Sequence, residues 1–290
     1  MIKKLNHNAQ KVDKFLKKYL KSQKKTNLII PMSYGTLSGG KKIRSSIIFD
    51  TGKIFKLKEE KILYVCAAVE LIHSYSLIHD DLPCMDDDEI RRGKPSTHIK
   101  FGESTAVLAG NSLLTLAFEI ITEKKFNINE KLKLDLMKNL AICSGHSGIA
   151  GGQELDLRYE KQKKNLNQIL EMHRKKTGKL FSFCCYAMGA IANKTKNEKK
   201  QLSKIGEDIG LLFQLADDFL DVKGSIKKIG KPIKQDVKKG KSTLISILGF
   251  KNSYDFATKL QSKILRNLKK YGKKADNLSE TVKFILERKY

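Results

Sequence analysis

The chain has 290 residues and carries 57 Lys and Arg against 31 Asp and Glu, a formal net charge of +26 at pH 7. A charge this large first suggests nucleic acid or an anionic membrane as a partner. However, arginine occurs only seven times and Trp is absent, whereas nucleic-acid binding relies on arginine forks and aromatic stacking. We therefore interpret the charge as a lysine-rich background and expect no nucleic-acid partner.

The rest of the composition favours a helical cytoplasmic protein. Hydrophobic residues make up 40% of the chain, and only 4 Pro and 20 Gly are present to interrupt helices. The five cysteines are odd in number and form no CxxC pair, which favours a reducing compartment and argues against a zinc site or a disulfide framework. The longest apolar run, residues 181–192, is too short to span a bilayer, so we expect no stable membrane insertion.

Helical periodicity runs through the chain in order. Near the start, Val12, Phe15, Leu16 and Leu20 recur at helical intervals and predict an amphipathic helix. Further helices are predicted over 61–82, 106–121, 131–143, 167–191, 200–222, 242–248 and 254–286. Glycine clusters at 39–40, 145–152 and 224–230 are predicted to separate helices. The pattern predicts an all-α protein with one domain over residues 1–290.

An acidic cluster follows the helix predicted over 61–82. Five aspartates fall within nine residues of each other: Asp80, Asp81, Asp86, Asp87 and Asp88. An unbroken helix would rotate the last three away from the first two. Pro83 disfavours continuation of the helix, so we expect the chain to turn there and bring Asp86 back toward Asp80.

A second cluster, Asp217, Asp218 and Asp221, has a spacing that gathers three carboxylates toward one helix face. Taken singly, each cluster could be a solvated acidic helix end. Two of them in a basic protein favour a cation site, and Mg²⁺ is usually held by a few carboxylates together with substrate phosphates. The spaced ligands and closing Glu of an EF-hand are missing. The clusters therefore predict a Mg²⁺–diphosphate site between two helices.

The rare arginines lie near these clusters. Arg91 and Arg92 follow the first one, and Arg44 closes the segment GGKKIR, which also contains Lys41. The planar guanidinium matches phosphate oxygens two at a time, and the paired glycines allow the backbone to approach an anion closely. The GxxxxGK[ST] spacing of a Walker P-loop is absent. These residues are candidates for binding diphosphate.

The two acidic clusters and their flanking residues resemble the motifs of a known family. Residues 70–103 (ELIHSYSLIHDDLPCMDDDEIRRGKPSTHIKFGE) and 211–222 (LLFQLADDFLDV) resemble the two aspartate-rich motifs of trans-isoprenyl diphosphate synthases, most closely the short-chain farnesyl diphosphate synthases of bacterial type. The resemblance extends through GGKKIR, GGQELDL, HRKKTG and GKST. Ser33 and Ser45 depart from it, at positions that are usually basic and proline respectively.

The resemblance implies an isoprenoid-synthase-type helical bundle with its active site in a central cavity, a homodimer, and a Mg²⁺-dependent head-to-tail prenyl transfer. An allylic diphosphate, dimethylallyl and then geranyl, would condense with isopentenyl diphosphate to give (2E,6E)-farnesyl diphosphate. A geranylgeranyl diphosphate synthase stays open as the alternative, because such enzymes share the spacing of the first motif. A terpene cyclase is disfavoured by the complete second motif and by Lys41 and Arg44.

The resemblance also implies roles for individual residues. Three Mg²⁺ ions would be held by Asp80, Asp81, Asp86, Asp217, Asp218 and Asp221. The allylic diphosphate would be contacted by Arg91, Lys176, Thr177, Gln214, Lys231 and Lys241. Isopentenyl diphosphate would be bound by Lys41, Arg44, His73 and Arg92. Product length would depend on Tyr75, which the family indicates, or on Ser76, which helix geometry favours because it lies four residues before Asp80.

Overall fold

The computed structural model describes residues 1–223 and 243–288. Its α-helices are α1 (Ile2–Ser22), α2 (Ile29–Thr36), α3 (Ile43–Ile54), α4 (Glu59–Asp80), α5 (Thr97–Phe101), α6 (Glu103–Thr122), α7 (Glu130–Ser144), α8 (Ile149–Arg158), α9 (Leu166–His173), α10 (Lys179–Ile191), α11 (Lys196–Lys223), α12 (Leu244–Leu268) and α13 (Asp276–Glu287). A π-helical turn (Arg174–Gly178) joins α9 to α10, and a 3₁₀ helix (Lys269–Ala275) joins α12 to α13. The described strands are β1 (Ile90–Arg91) and β2 (Lys94–Pro95), paired antiparallel. The predicted all-α class is confirmed.

The predicted helices are found, with two corrections. The prediction of a break over the whole glycine cluster 145–152 is wrong, because Gly151 and Gly152 lie inside α8. The helices predicted over 242–248 and the start of 254–286 form one element, α12, which is kinked at Gly249 (φ 75°). The glycine cluster at 224–230 lies outside the described residues.

The centre of the fold is α4, which packs against α3 and α6, while α10 packs along α11. Gly206 of α11 lets these last two helices approach closely, because a Cβ there would lie 2.3 Å from the carbonyl oxygen of Phe181. The buried apolar side chains of the described residues form one contiguous cluster. One domain over residues 1–290 stays a prediction.

Within residues 1–223 and 243–288, two helices, α4 and α6, are long and apolar enough to cross a membrane by length and composition alone. In α4, 78% of the apolar window is buried inside the fold, as expected for a core helix. In α6 only 44% is buried, because one face of this helix, including Val107 and Leu108, is exposed.

A buried polar cluster fixes the last helix to the first and third. Asp50 of α3 accepts hydrogen bonds from Lys4 Nζ (2.8 Å) and from Thr281 Oγ1 of α13 (2.6 Å). Asp50 and Thr281 are fully buried, so these bonds are shielded from water. They anchor α13 independently of its C-terminal turn.

Candidate active site

A cavity of about 410 Å³ lies between the end of α4, the helix α8, the π-helical turn and the second half of α11. Both acidic clusters open into it. The predicted site residues that line it are Arg44, His73, Ser76, Asp80, Asp86, Arg91, Arg92, Lys176, Thr177, Gln214, Asp217, Asp218 and Asp221. The structure therefore brings together the two acidic clusters, at residues 80–88 and 217–221, which are far apart in the sequence.

The first acidic cluster begins where α4 ends. The helix ends at Asp80, and the chain then turns so that the backbone N–H of Asp86 donates to the carbonyl oxygen of Asp80 (2.8 Å). The expected turn at Pro83 is confirmed. Burial, reinforced by the nearby Asp86, raises the pKa of the Asp80 carboxyl group, and Lys176 opposes this shift.

Helix α8 holds Asp80 from the opposite wall of the cavity. Gln153 Nε2 donates to Asp80 Oδ1 (2.6 Å), and both side chains are buried. This contact fixes one carboxylate oxygen of Asp80, and the carboxylate still lines the cavity.

The same helix holds Lys176, which lies in the π-helical turn. Lys176 Nζ donates to Asp156 Oδ2 (2.8 Å), and Asp80 and Asp156 raise the pKa of the lysine against the opposing effect of burial. Gly152 makes the approach of α8 possible, since a Cβ there would lie 2.1 Å from the backbone nitrogen of Lys176. One turn of α8 therefore positions both a carboxylate and an ammonium group.

The three carboxylates of the second cluster share one face of α11, as expected. Asp218 and Asp221 are buried, whereas the Asp217 side chain keeps 40% of its surface exposed. A hydrogen-bond chain leads to them from the π-helical turn: Thr177 Oγ1 donates to Gln214 Oε1 (3.0 Å), and Gln214 Nε2 donates to Asp218 Oδ1 (3.1 Å). These bonds fix the orientation of the Gln214 amide.

Asp81 differs from its neighbour Asp80, because it faces away from the cavity. Its Oδ1 accepts two hydrogen bonds from the guanidinium of Arg91, one of them from Nε at 2.9 Å. The same guanidinium donates to Asp88 Oδ2 (3.1 Å). Asp81 therefore orients Arg91 toward the cavity, and its role as a metal ligand stays a prediction.

Several basic side chains form a second part of the cavity. Arg44 packs over the ring of Phe181 (4.9 Å to the centroid), and its Nη1 lies 3.1 Å from His73 Nε2. Burial and the neighbouring Arg44 lower the pKa of His73 well below its usual value, so the ring is neutral and accepts the hydrogen bond.

Arg92 Nη1 donates to Ser38 Oγ (3.2 Å) and holds the loop that contains Gly39 and Gly40. These cations form a pocket for an anion beside the aspartates.

The remaining predicted residues are placed as follows. Lys41 is half-buried near Asp217, and burial lowers its pKa. Ser76 lines the cavity, whereas Tyr75 is buried behind it and donates to the carbonyl oxygen of Ser144 (3.2 Å). Lys231 and Lys241 lie outside the described residues.

The carboxylates fit Mg²⁺ only in part before substrate arrives. Within residues 1–223 and 243–288, no three His, Cys, Asp or Glu side chains are grouped closely enough to hold a metal by themselves. Asp80 and Asp86 on one side, and Asp217, Asp218 and Asp221 on the other, supply hard oxygen donors across the cavity. This arrangement suits a cation that keeps few protein ligands and completes its shell with phosphate oxygens.

Four residues that contact predicted site residues were not singled out from the sequence. Gln153 and Asp156 belong to GGQELDL, which was recognised as a motif without a role for either side chain. His173, which is buried with its Nε2 3.7 Å from Asp218 Oδ2, lies in HRKKTG. Arg288 had no signal beyond the rarity of arginine.

Comparison with known proteins was consistent. The polyprenyl synthetase family profile matches residues 25–285. A farnesyl diphosphate synthase of Micrococcus luteus is 38% identical over 276 residues, covering 95% of this chain and 94% of that protein. Among solved structures, an FPP/GFPP synthase from Zymomonas mobilis in its apo form superposes with a TM-score of 0.87 at 35% identity, covering 97% of each chain. A geranyltransferase from Helicobacter pylori complexed with magnesium and isoprenyl diphosphate superposes with a TM-score of 0.82 at 27% identity, covering 99% of this chain and 96% of that one.

Proposed function

The chain belongs to the polyprenyl synthetase family, and we propose that it condenses an allylic diphosphate with isopentenyl diphosphate to give (2E,6E)-farnesyl diphosphate and diphosphate. It is a prenyltransferase, as the family match and the curated relatives show. The observation that carries this function is the pair of carboxylate clusters facing each other across one cavity, with the half-buried Lys176 between them and a basic pocket beside them.

Magnesium is proposed as the cofactor. Asp80 and Asp86 would hold it on one side of the cavity and Asp217, Asp218 and Asp221 on the other, and three ions per site are expected from the family. When bound, the metal would neutralise charge that develops on the departing diphosphate. The H. pylori structure, which contains magnesium and isoprenyl diphosphate, supports this assignment.

The residues of the chain supply the rest of the electrostatics. Lys176 would donate to the diphosphate of the allylic substrate, because its ammonium group is held by Asp156 on the wall of the cavity. Arg91, oriented by Asp81, would bind the same group. Loss of this diphosphate leaves an allylic cation, near which the Thr177 hydroxyl and the Gln214 amide would act as neutral dipoles.

The allylic cation must be protected from water. Apolar side chains that line the cavity include Leu77, Ile149, Met172 and Phe213. They would surround the hydrocarbon part of the substrate and exclude water as a competing nucleophile. The double bond of isopentenyl diphosphate then attacks the allylic carbon, and the proton is lost to the departing diphosphate.

Isopentenyl diphosphate is assigned to the basic pocket. Arg44, Arg92 and Lys41 would bind its phosphates, and His73 would support Arg44 by accepting its hydrogen bond. A neutral His73 suits this role because it adds no charge to a cluster that is already strongly positive.

A C15 product is favoured over the C20 alternative. The relative from M. luteus is a farnesyl diphosphate synthase, and the Z. mobilis relative is an FPP/GFPP synthase. Ser76 lies one turn below Asp80 on the cavity wall, and Tyr75 stands behind it. We propose that this part of α4 limits the growing chain.

We also propose a homodimer in the cytoplasm. Val107 and Leu108 of α6 and Ile142 of α7 are exposed apolar side chains, and we propose that a second copy of the chain buries them. Light scattering during gel filtration should give a molecular mass of twice the 32.9 kDa chain mass. The Leu108→Lys variant should give the mass of a single chain. The free cysteines support a reducing compartment.

Diphosphate release tests the function. With geranyl and isopentenyl diphosphates, the purified protein should release diphosphate only when Mg²⁺ is present. Asp80→Asn and Asp217→Asn should each abolish this release, whereas Asp255→Asn on the exposed part of α12 should leave it unchanged. Release without metal, or full activity in both variants, would contradict the proposal.

A further inference from the structure

One cation already lies against the second acidic cluster. Arg288 follows the last turn of α13, and its Nη2 donates to Asp217 Oδ1 (2.6 Å) and to the carbonyl oxygen of Phe213 (3.2 Å). The guanidinium carbon lies 4.1 Å from the centroid of the Phe213 ring, which lines the cavity. A residue far from both motifs in the sequence is therefore bound at one of them.

The two partners differ in their exposure to water. The Arg288 side chain is 5% exposed, whereas Asp217 is 40% exposed. An arginine that is buried to this degree needs a carboxylate or several acceptors, yet Arg288 Nε has no hydrogen-bond partner within the described residues. The guanidinium is incompletely satisfied, and the exposed carboxylate can be reached by another cation from the cavity.

We propose that Arg288 is a tethered cation that neutralises Asp217 while the site holds no metal, and that a divalent ion must displace it. The positive charge reduces the repulsion among Asp217, Asp218 and Asp221, which lie on one helix face. Because arginine and the metal compete for the same oxygen, Arg288 would lower the affinity of the empty enzyme for metal. It would also couple metal binding to the last turn of α13.

Because α13 is anchored near its middle, displacement of Arg288 by a metal would affect only the last turn of this helix. Thr281 and Asp50 hold the helix to α3 two turns before Arg288. Release of the guanidinium would therefore free the last turn and leave the body of the helix in place. The inference rests on the proposed role of Asp217 as a metal ligand.

Binding of Mn²⁺ alone to the substrate-free protein, measured by electron paramagnetic resonance, tests the role of Arg288 separately from the role of Asp217 as a metal ligand. Arg288→Gln should bind Mn²⁺ roughly fivefold more tightly, which is the effect of losing one partly exposed ion pair. Arg288→Lys should stay near the wild type because it keeps the charge. Arg266→Gln, on the exposed face of α12, controls for the loss of one positive charge. Asp217→Asn should bind Mn²⁺ more weakly than the wild type.

The Mn²⁺ affinities of the Arg288→Gln and Asp217→Asn variants together show whether the tether, the metal site or both must be rejected. Weaker binding in Asp217→Asn with unchanged or weaker binding in Arg288→Gln would overturn the tether and leave the metal site intact. Unchanged binding in Asp217→Asn would overturn both. Hydrogen exchange in the wild type gives an independent test that needs no variant. Adding Mg²⁺ with inorganic diphosphate should increase exchange at the amides of residues 286–288 and leave residues 278–282 protected, and no increase would overturn the tether.

Discussion

Gln153 on α8 and Asp80 at the end of α4 lie 2.6 Å apart, measured from the amide nitrogen to a carboxylate oxygen, and both are buried. The contact joins two walls of the cavity at the first acidic cluster. It also fixes the direction in which the second oxygen of Asp80 points. The residues that hold a metal ligand in place usually matter nearly as much as the ligand itself.

Gln153→Ala should therefore lower kcat/KM by about 10- to 100-fold, because Asp80 would lose the hydrogen bond that orients it. Steady-state kinetics against Mg²⁺ concentration should show that the loss is partly recovered at high metal. Gln10→Ala, on the exposed face of α1, is the matched control. An unchanged kcat/KM in Gln153→Ala would show that Asp80 is positioned without it.

Asp156→Asn tests the pairing with Lys176. The amide can still accept a hydrogen bond but no longer holds the ammonium group by charge, so the lysine should become less well placed. We expect kcat to fall by about tenfold with little change in melting temperature. Asp135→Asn removes a half-buried carboxylate that bonds Tyr186 outside the cavity and should leave kcat unchanged. Equal effects of the two changes would argue against a specific role for Asp156.

Product length should respond to α4. Tyr75→Ala would open space behind Ser76 and shift products toward C20 or longer, whereas Ser76→Phe would fill the cavity wall and shift them toward C10. Tyr75→Phe removes only the hydrogen bond to the Ser144 carbonyl oxygen and should keep C15 as the main product. Chromatography of the dephosphorylated products gives the distribution. An unchanged distribution in both Tyr75→Ala and Ser76→Phe would place the limit elsewhere.

Acid should destabilise the fold through His73. Its pKa in the folded protein lies well below the ordinary 6.5, because of burial and the charges of Arg44, Arg92, Lys42 and Arg91. Between these two pKa values only the unfolded chain takes up the proton, so the free energy of unfolding falls as the pH falls below 6.5.

Urea unfolding at pH 7.5 and pH 5.0 measures this effect. His73→Gln can still accept the hydrogen bond from Arg44 but has no proton to gain, so it should lose less stability between the two pH values than the wild type. His7→Gln, at an exposed position of α1, should behave like the wild type. The prediction is wrong if all three proteins show the same pH dependence.

The sequence predicted most of the helices, with α2, α3, α5 and α8 as the exceptions, and most of the cavity, because its signals were local. Pro83 predicted the turn that returns Asp86 to Asp80, and the spacing of Asp217 and Asp221 predicted a shared face. The orientation of Asp81 could not be predicted, because it depends on Arg91, which lies at the end of β1, ten residues further along the chain.

The π-helical turn also could not be predicted from the sequence. Its residues fit an ordinary helical pattern, and the wider turn becomes visible only where α8 packs against Lys176 through Gly152. Arg288 was missed for a similar reason, since its partner is set by how α13 lies against α11 and not by any nearby residue.

The central claim is tested most directly by identifying the product. The purified protein would be incubated with dimethylallyl and isopentenyl diphosphates and Mg²⁺, and the prenyl chain would be identified by mass spectrometry after dephosphorylation. We predict all-trans farnesol as the main alcohol. A main product of C20 would replace the C15 assignment with the geranylgeranyl alternative, and the absence of any condensed prenyl product would contradict the account.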